Sequence, residues 1–356
     1  MVCRPLACTQ RAGTAFVEDS VNPEPHPWPV TELLACCLGA AIDEHLAAPL
    51  GQGYLVLDMA GTQALDSGSR AALQRWLPRL PCPVIALGSG DEAIAACADL
   101  RVPGTADARV VVRNIQRAPG AALVLVQTLR ALEGMALEHA LALESMAYAT
   151  LQGGGEHRVW LAAREDRNPV AADCLYPLRL IRSGNTLEIV LDRPAQRNAI
   201  SVAMRDALME ALELVAVDET IERVVLRGNG ACFSVGGDLA EFGSSGDTLG
   251  SHLLRTARQP ARWLARSADR IEAYVHGACI GAGIELPAFA SRVIAHPDAW
   301  FRLPELAMGL IPGAGGCVSV PRRIGRQRTA WMVLSGRRLT AAQALSWGLV
   351  DAISAR

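Results

Sequence analysis

Two glutamates, Glu285 and Glu305, stand where a pair of carboxyl groups could perform acid–base chemistry. Glu285 ends the run HGACIGAGIE at residues 276–285, in which a strand leads into a glycine-rich turn and a helix that we expect to begin near Ala282. Glu305 follows Pro304, a residue type that suits the first helical position. Positioned carboxyl groups can add and remove protons. Taken alone, each glutamate is also explained as an acid that complements the dipole of its helix.

Backbone N–H groups at two glycine-rich turns offer a second kind of chemistry. The run FSVGGDL, residues 233–239, follows a predicted strand, and its glycines allow a close approach of the backbone to a ligand. Asp238 could cap the helix that follows. At the second turn, the unpaired N–H groups of a helix start near Ala282 can hold a developing negative charge. The first turn alone is equally an ordinary strand–turn–helix junction, and the second lacks the complete G-x-G-x-x-G dinucleotide fingerprint.

Other reactive residue types are poorly placed for catalysis. His276 lies at a strand end before a glycine, which favours a structural role. Cys279 and Cys317 have no histidine at a suitable sequence position, and Ser234 and Ser319 lie in no nucleophile-elbow pattern. The glycines of the PGAGG turn at residues 312–316 are expected to serve the turn's geometry alone.

The composition excludes several classes of function. The 356-residue chain has room for two domains, is 51% apolar and carries a formal charge of −2, which argues against nucleic-acid binding. All 34 basic residues are arginine, so Schiff-base chemistry on lysine is excluded. The 10 cysteines form no C-x-x-C pair and suit reduced thiols, and we expect no metal site. We recognise no signal peptide and no membrane-spanning run, and predict a soluble cytoplasmic protein.

The N-terminal half is predicted to be a separate α/β domain. We expect a flexible lead-in at residues 1–29, a domain at 30–165 and a linker at 166–174. Residues 31–46, 121–151 and 156–164 have helical patterns, and residues 54–59 and 83–87 read as buried strands. This half weakly repeats the C-terminal half, and aligning Arg101-Val102 with Arg292-Val293 places Ile94 opposite Glu285. The alternative is an unrelated α/β domain.

The second domain, residues 175–356, alternates strands with helices. Residues 178–181 and 186–191 flank a Ser-Gly-Asn turn and predict a β-hairpin. Residues 201–215 predict an amphipathic helix capped by Ser201. Buried strands are expected at 224–227 and 273–276. This alternation predicts a layered α/β fold.

Read in order, the motifs FSVGGDL, HGACIGAGIEL and LPELAMGLIPGAGG resemble those of the enoyl-CoA hydratase/isomerase (crotonase) superfamily. DRPAQRNA at 192–199, RRIGR at 322–326, LSG at 334–336 and AAQALSWGLV at 341–350 resemble further landmarks of that family. The resemblance covers about residues 175–353. It implies the ClpP/crotonase-like α/β fold of repeated ββα units, with a second, degenerate crotonase-like domain in the N-terminal half.

The resemblance also implies a role for each site residue. The family's oxyanion hole, made of two backbone N–H groups, matches Gly237 and Ala282, and its paired catalytic glutamates match Glu285 and Glu305. Coenzyme A enters as part of the substrate, and no tightly bound cofactor is expected. Arg197 is the candidate for a phosphate contact. The segments implied in CoA binding contribute Arg197, Asn198, Ala199, Ala231, Phe233, Asp238 and Leu239.

Three functions remain open at this stage. Keeping both acids favours an enoyl-CoA hydratase, which adds water reversibly to a 2-enoyl-CoA thioester through an enolate. Enoyl-CoA isomerisation or other acyl-CoA enolate chemistry is the second possibility, and a non-catalytic acyl-CoA-binding protein is the third. The family's habit implies a homo-oligomer, a trimer or hexamer, with an acyl-CoA partner and neither nucleic acid nor membrane.

One departure concerns the helices that normally cover the family's site. Here the chain stops soon after the GLV segment, whereas residues 136–151 and 156–164 of the N-terminal half resemble the covering helices. We therefore expect the N-terminal half to pack these helices onto the C-terminal half. Residues 242–264, after the first turn, are expected to line the acyl pocket.

Overall fold

The computed structural model describes residues 24–37, 53–164, 176–244 and 247–355. The predicted linker at 166–174 lies outside the described residues. Cys3, Cys8 and Cys174 and most of the predicted lead-in also lie outside them.

The N-terminal half contains a small sheet and helices on its faces. Its strands are β1 Pro27–Trp28, β2 Leu55–Asp58, β3 Val84–Leu87 and β4 Leu100–Val102. Its helices are α1 Val30–Cys37, α2 Ser67–Trp76, α3 Glu92–Ala95, α4 Thr105–Arg117, α5 Pro119–Ala131, α6 Leu137–Gln152 and α7 Gly155–Ala162, with short 3-10 helices at Thr62–Ala64 and Leu77–Arg79.

The C-terminal half is larger and mixes long and short elements. Its strands are β5 Leu178–Ser183, β6 Thr186–Leu191, β7 Arg223–Gly228, β8 Ile271–Val275, β9 Ala278–Ile280, β10 Arg292–Ala295, β11 Trp300–Arg302, β12 Leu339–Thr340 and β13 Ala352–Ile353. Its helices are α8 Val202–Val217, α9 Thr248–Ala257, α10 Pro260–Arg266, α11 Ala282–Glu285, α12 Gly316–Ile324, α13 Arg326–Ser335 and α14 Ala341–Trp347. Short 3-10 helices occupy Pro194–Gln196, Leu239–Glu241, Ala268–Arg270, Pro287–Phe289 and Glu305–Met308.

The N-terminal sheet is parallel throughout, in the order β1-β2-β3-β4. Its first strand corrects the predicted lead-in, because Pro27 and Trp28 pair with Val56 and Leu57 of β2. Proline fits this edge position, since it has no N–H to donate to a further strand. The part of residues 1–29 that the structure describes is therefore folded onto the sheet.

The C-terminal half builds a six-stranded sheet, β13-β10-β8-β7-β6-β5, and a three-stranded one, β12-β11-β9. The predicted hairpin is confirmed: β5 and β6 are antiparallel around Gly184, whose φ of 59° is the left-handed conformation that glycine favours. Ser201 caps α8 by accepting a hydrogen bond from the Met204 N–H at 3.2 Å. The three-stranded sheet carries the second glycine-rich turn, which leaves the end of β9.

The predicted helical stretch at 121–151 is interrupted. Helix α5 ends at Ala131 and α6 begins at Leu137, with Gly134 between them at φ 74°. A left-handed residue cannot continue a right-handed helix, and glycine adopts it without strain. The break lets α6 run in a direction of its own, towards the C-terminal half.

The two halves share one hydrophobic core, which joins residues of α4, α5 and α6 to residues of α12 and α13. Polar contacts add to this packing. The buried carboxylate of Asp99 pairs with Arg130 of its own half and with Arg326 of α13, at 2.9 Å for the latter. Asn114 of α4 donates to the carbonyl oxygens of Leu334 and Ser335 at 3.0 Å each. The N-terminal helices therefore pack on the C-terminal half.

Deleting residues 1–170 is expected to leave a fragment that is insoluble or inactive. The deletion exposes the apolar faces of α12 and α13, which pack against α4, α5 and α6 in the intact chain. Soluble yield, circular dichroism and activity of the fragment check this. A stable, fully active fragment 171–356 would show that the N-terminal half is dispensable.

Candidate active site

The first glycine-rich turn is fixed by backbone pairing on both sides. Ile200 bridges Gly237 in parallel fashion: the Ile200 N–H donates to the Gly236 oxygen at 2.8 Å, and the Asp238 N–H donates to the Ile200 oxygen at 3.0 Å. In this pattern the N–H of Gly237, the middle residue, points away from Ile200. Gly237 also lines the main cavity, so its amide is available at the cavity wall.

The loop before α8, which pairs with this turn through Ile200, contains two residues of unusual conformation. Arg197 and Asn198 both have positive φ, 51° and 54°, which is uncommon outside glycine. The Asn198 side chain stabilises this shape by donating to the carbonyl oxygens of Asn229, Cys232 and Phe233 at 2.8–3.0 Å. The loop thereby fixes the position of Ile200 and the turn it pairs with.

The second turn depends on Gly281. Its φ of 51° favours glycine, and a Cβ at this position would lie 2.7 Å from Oε1 of Glu305. Helix α11 starts at the next residue, as predicted near Ala282. The Ala282 N–H is therefore a first-turn amide. Within the part of the chain that the structure describes, it donates to no acceptor.

The two turns lie against each other. A Cβ on Gly236 would lie 2.6 Å from the Ile280 oxygen and 3.4 Å from the amide nitrogen of Ala282. Only a residue without a side chain allows this approach. Gly237 and Ala282, the two positions predicted to supply amides, line one cavity of about 760 Å³.

Both predicted acids also line that cavity. Glu285 is 2% exposed, and its Oε2 accepts hydrogen bonds from the N–H groups of Ala314 at 2.8 Å and Gly316 at 3.0 Å. Glu305 is 9% exposed, and its Oε2 has no hydrogen-bond partner among the described residues. A Cβ on Gly281 would lie 2.7 Å from Oε1 of Glu305 and 3.7 Å from Oε1 of Glu285. The acids are therefore neighbours across the second turn.

The surroundings give the two carboxyl groups different proton affinities. Burial raises the pKa of Glu285 to about 7, against the effect of the amide hydrogen bonds that it accepts. Burial, and then the nearby charge of Glu285, raise the pKa of Glu305 well above its usual value. The surroundings therefore act differently on the two acids: amide hydrogen bonds favour the ionised form of Glu285, and the charge of Glu285 favours the protonated form of Glu305.

The PGAGG turn does more than shape the chain, which corrects the prediction that its glycines serve geometry alone. Ala314 and Gly316 donate to Glu285, as described above. Gly315 and Cys317 donate to Glu144 at 2.7 and 2.8 Å. The turn is a set of amide donors at the start of α12, where unpaired N–H groups favour carboxylates.

Glu144 and Tyr148, both on α6, are site residues that the sequence did not indicate. Glu144 is fully buried, and Tyr148 lines the cavity with its ring against Gly313. Arg255 of α9 stacks on that ring at 4.6 Å. The residues stand four apart on a predicted helix, so the sequence placed them on one face. The sequence predicted that this helix packs on the C-terminal half, but it did not indicate which residues Glu144 and Tyr148 contact there.

The predicted CoA-binding residues divide into three groups. Arg197, Ala199, Asp238 and Leu239 line the cavity. Asn198 and Phe233 are buried at 0% and 2% exposure and do not line the cavity. Ala231 is exposed next to Cys232, outside the cavity lining. These assignments stay predictions.

The cavity wall includes much of the segment predicted to hold the acyl group. Phe242, Leu254 and Pro260 line it from that segment. Helix α7 supports this wall, because Trp160 packs edge-on against Phe242 at 6.1 Å and stacks on His157. His157 in turn bonds the Met308 carbonyl at 2.8 Å. Helices α6 and α7 therefore close one side of the cavity.

The remaining candidate residues have structural roles. His276 bonds the Gly230 carbonyl through Nε2 at 2.9 Å, as expected. Cys279 and Cys317 are buried, and burial raises the pKa of both thiols well above the usual value. The described residues contain no group of three or more His, Cys, Asp or Glu side chains that could hold a metal ion. No helix among them is long and apolar enough to cross a membrane.

Comparison with known proteins places this site in a family. A family profile described as enoyl-CoA hydratase/isomerase matches residues 182–356. The chain is 38% identical over 172 residues to 2,3-dehydroadipyl-CoA hydratase of Escherichia coli, covering 48% of this chain and 66% of that one. It is 34% identical over 175 residues to the enoyl-CoA isomerase/hydratase fer4 of Mycosarcoma maydis, covering 47% and 64%.

A solved structure gives a similar match. The chain is 31% identical to an enoyl-CoA hydratase from Mycobacterium smegmatis, with a TM-score of 0.47 and coverage of 51% of this chain and 70% of that one. The C-terminal half of the chain, residues 182–356, belongs to the enoyl-CoA hydratase/isomerase family, whose fold is the crotonase fold. It spans somewhat less than two thirds of the length of the two curated relatives.

Proposed function

We propose that this protein is an enoyl-CoA hydratase, which adds water reversibly to a 2-enoyl-CoA thioester. The observation that carries the proposal is the pair of buried, neighbouring carboxyl groups that line one cavity with two available amides. The matched relatives are named as hydratases or as hydratase/isomerases, which supports the reaction class. The acyl group is left open by these observations.

In the proposed reaction, the N–H groups of Gly237 and Ala282 bind the thioester carbonyl oxygen. Negative charge builds on this oxygen as the enolate forms. Amides already in place stabilise that charge without rearrangement, and one such donor is worth about 10²–10³ in rate. The close approach of the two turns at Gly236 is what makes a shared oxygen position feasible.

The two acids take different roles because of their different pKa values. Ionised Glu285 removes a proton from water, whose oxygen forms a bond to the β-carbon as the carbon–carbon double bond is broken. Protonated Glu305 gives its proton to the α-carbon of the enolate. The proton gained by Glu285 replaces the one lost by Glu305 through solvent exchange or transfer between the neighbours. The product is a 3-hydroxyacyl-CoA.

CoA itself is proposed to lie along the residue 197–199 loop and the first turn. Arg197 is the proposed phosphate contact, because this lysine-free chain offers only guanidinium groups, amides and helix starts to an anion. Arg197 lies at the cavity wall in a conformation that the Asn198 hydrogen bonds hold. Backbone contacts near Ala231 and Phe233, together with contacts to Asp238 and Leu239, complete the proposed CoA site.

The N-terminal half is proposed to be a degenerate second copy of the crotonase core. Its strands β2, β3 and β4 are adjacent and parallel, as are β7, β8 and β10. The short helix α3 follows β3, as α11 follows the β8–β9 region. Ile94 of α3 stands where the alignment places Glu285, so this copy has no acid at that position.

Activity is expected to rise with pH through about 7, then to fall at higher pH. Glu285 must be ionised to act as the base, and its pKa of about 7 sets the rising limb. Glu305 must be protonated, and its raised pKa places the falling limb above the rising one. The pH dependence of kcat/KM for crotonyl-CoA measures both limbs. A profile that is flat across the neutral range would contradict these roles.

A product assay tests the proposed function. The chain is incubated with crotonyl-CoA, with a longer 2-enoyl-CoA and with a 3-enoyl-CoA, and products are separated by chromatography. Formation of 3-hydroxyacyl-CoA from the 2-enoyl substrates supports hydration. Conversion of the 3-enoyl to the 2-enoyl thioester without hydration would identify an isomerase instead. Binding of the thioesters without any conversion would identify an acyl-CoA-binding protein.

A further inference from the structure

The turn at residues 314–317 serves two carboxyl groups that come from different halves of the chain. The N–H groups of Ala314 and Gly316 donate to Oε2 of Glu285 at 2.8 and 3.0 Å. Those of the alternate residues, Gly315 and Cys317, donate to Oε1 and Oε2 of Glu144 at 2.7 and 2.8 Å. Consecutive amides therefore point alternately to the catalytic acid and to an acid on α6.

This turn is held at its end by α12, whose Val318 and Ser319 N–H groups donate to the Gly315 oxygen, while the N–H groups of residues 314–317 need partners from outside the turn. Gly315 has a φ of 99°, and glycines at 313, 315 and 316 lack side chains that could anchor the backbone. Glycines place few limits on the peptide orientations of a turn, so partners that bind its N–H groups help to fix where those groups point. Glu144 binds two of them and is fully buried. Tyr148, one helical turn later on α6, packs on Gly313.

We propose that Glu144 is a positioning residue for Glu285. By binding the Gly315 and Cys317 amides, it keeps the Ala314 and Gly316 amides on Glu285, and so controls how tightly that acid holds its proton. The N-terminal half thereby contributes to catalysis as well as covering the cavity. This inference rests on the proposed hydration, in which Glu285 is the base.

Other charged or titratable groups also lie around Glu285, but none of them binds the amides of this turn in the part of the chain that the structure describes. They are Tyr148 on α6, Arg255 on α9, Glu305 and Cys317. Burial, and then the charge of Glu285, raise the pKa of Glu144, while its two amide bonds lower it. Among the described residues, Glu144 is the acid that shares the amides of this turn with Glu285.

Glu144→Gln tests the inference, because glutamine has the same shape but one acceptor oxygen. One of the two amides then faces an NH₂ group, and the turn loses part of its anchor. Glu285 loses some of the amide bonding that favours its ionised form. Loss of the repulsion between the two carboxylates acts in the opposite direction, and the inference requires the amide effect to be the larger. We expect the rising limb of the kcat/KM profile to move to higher pH by about one unit, with KM little changed. An unmoved limb, or one moved to lower pH, would overturn the inference.

Two variants on the same helix control for a general loss of structure. Glu138→Gln removes ion pairs with Arg262 and Arg266 of α10, at 2.8 and 2.9 Å, without touching the turn. Leu141→Ala removes buried packing of α6. Both are expected to leave the rising limb in place. If Leu141→Ala moves it as far as Glu144→Gln does, the packing of α6 is responsible, and the role of Glu144 is refuted.

A readout that needs no turnover separates this inference from the proposed function. The carboxyl stretch of Glu285 is followed by infrared spectroscopy during a pH titration, as the difference between the intact chain and its Glu285→Gln variant. The same difference is then taken in the Glu144→Gln background, where a higher titration midpoint is expected. An upward shift in a chain that hydrates no enoyl-CoA would refute the function and keep the positioning role. An unshifted midpoint in an active enzyme would refute the positioning role and leave the proposed function standing.

Discussion

Replacing either Glu285 or Glu305 with glutamine is expected to lower the hydration rate of crotonyl-CoA by about 10²–10⁴. Glutamine can neither remove a proton from water nor give one to the α-carbon. At Glu285 the exchange preserves the local structure, because both amides donate to a single oxygen that glutamine also has. The measurement is kcat for each purified variant under saturating substrate.

The loss must come from the chemistry and not from folding. Glu188→Gln is a suitable control, since Glu188 pairs with Arg227 on the large sheet, away from the cavity lining. That variant should retain its activity, and thermal unfolding should show that the two acid variants remain folded. If both acid variants turn over at the rate of the original chain, the acid–base mechanism is wrong.

Ala282→Pro is expected to lower the rate by about 10²–10³, because it removes one donor of the proposed oxyanion hole. Position 282 is the first residue of α11, where proline is well tolerated by the helix. The Ala282 N–H makes no hydrogen bond within the described residues, so its loss should cost little stability. The rate of hydration and the melting temperature are compared with those of the original chain.

Ala282→Gly is the matched control for the proline variant. It changes the side chain at the same position but keeps the N–H, so it should hydrate crotonyl-CoA nearly as fast as the original chain. Equal activity of the proline and glycine variants would mean that the amide of residue 282 does not contribute to the reaction.

The sequence predicted the elements whose signals are local. Ser201 lies directly before an apolar helical pattern, and it caps α8 as expected. The alternation on both sides of Gly184 predicted the hairpin, which pairs in register from Leu178 with Leu191 to Ser183 with Thr186. The start of α11 also followed from a glycine turn next to an apolar run. In each case, neighbours in sequence determine the structure.

Features that depend on distant contacts were predicted only in outline: residues 136–151 were expected to pack on the C-terminal half, but the contacts of their side chains were not predicted. Glu144 lies 171 residues from Gly315, and nothing near it in sequence indicates that its helix meets that turn. The pairing of Trp28 with Leu57 likewise joins a proline-rich segment to a strand that is remote in sequence. The glycines of the PGAGG turn were predicted to serve the turn's geometry alone. Their amides have a further role because Glu285 and Glu144, which are remote in sequence, accept hydrogen bonds from them. The site is therefore partly local and partly a product of how the two halves pack.

Exchange of the α-protons of butyryl-CoA in D₂O tests enolate formation alone, since this thioester has no double bond to hydrate. It is measured on the alkaline, falling limb of the hydration profile, where Glu305 is ionised and can accept the α-proton. Mass spectrometry follows deuterium uptake at the α-carbon. The chain and its Ala282→Gly variant are predicted to incorporate deuterium, while Ala282→Pro and Glu305→Gln incorporate little. Equal uptake by all four proteins, or none by the original chain, would contradict the joint action of these amides and carboxyl groups on one thioester.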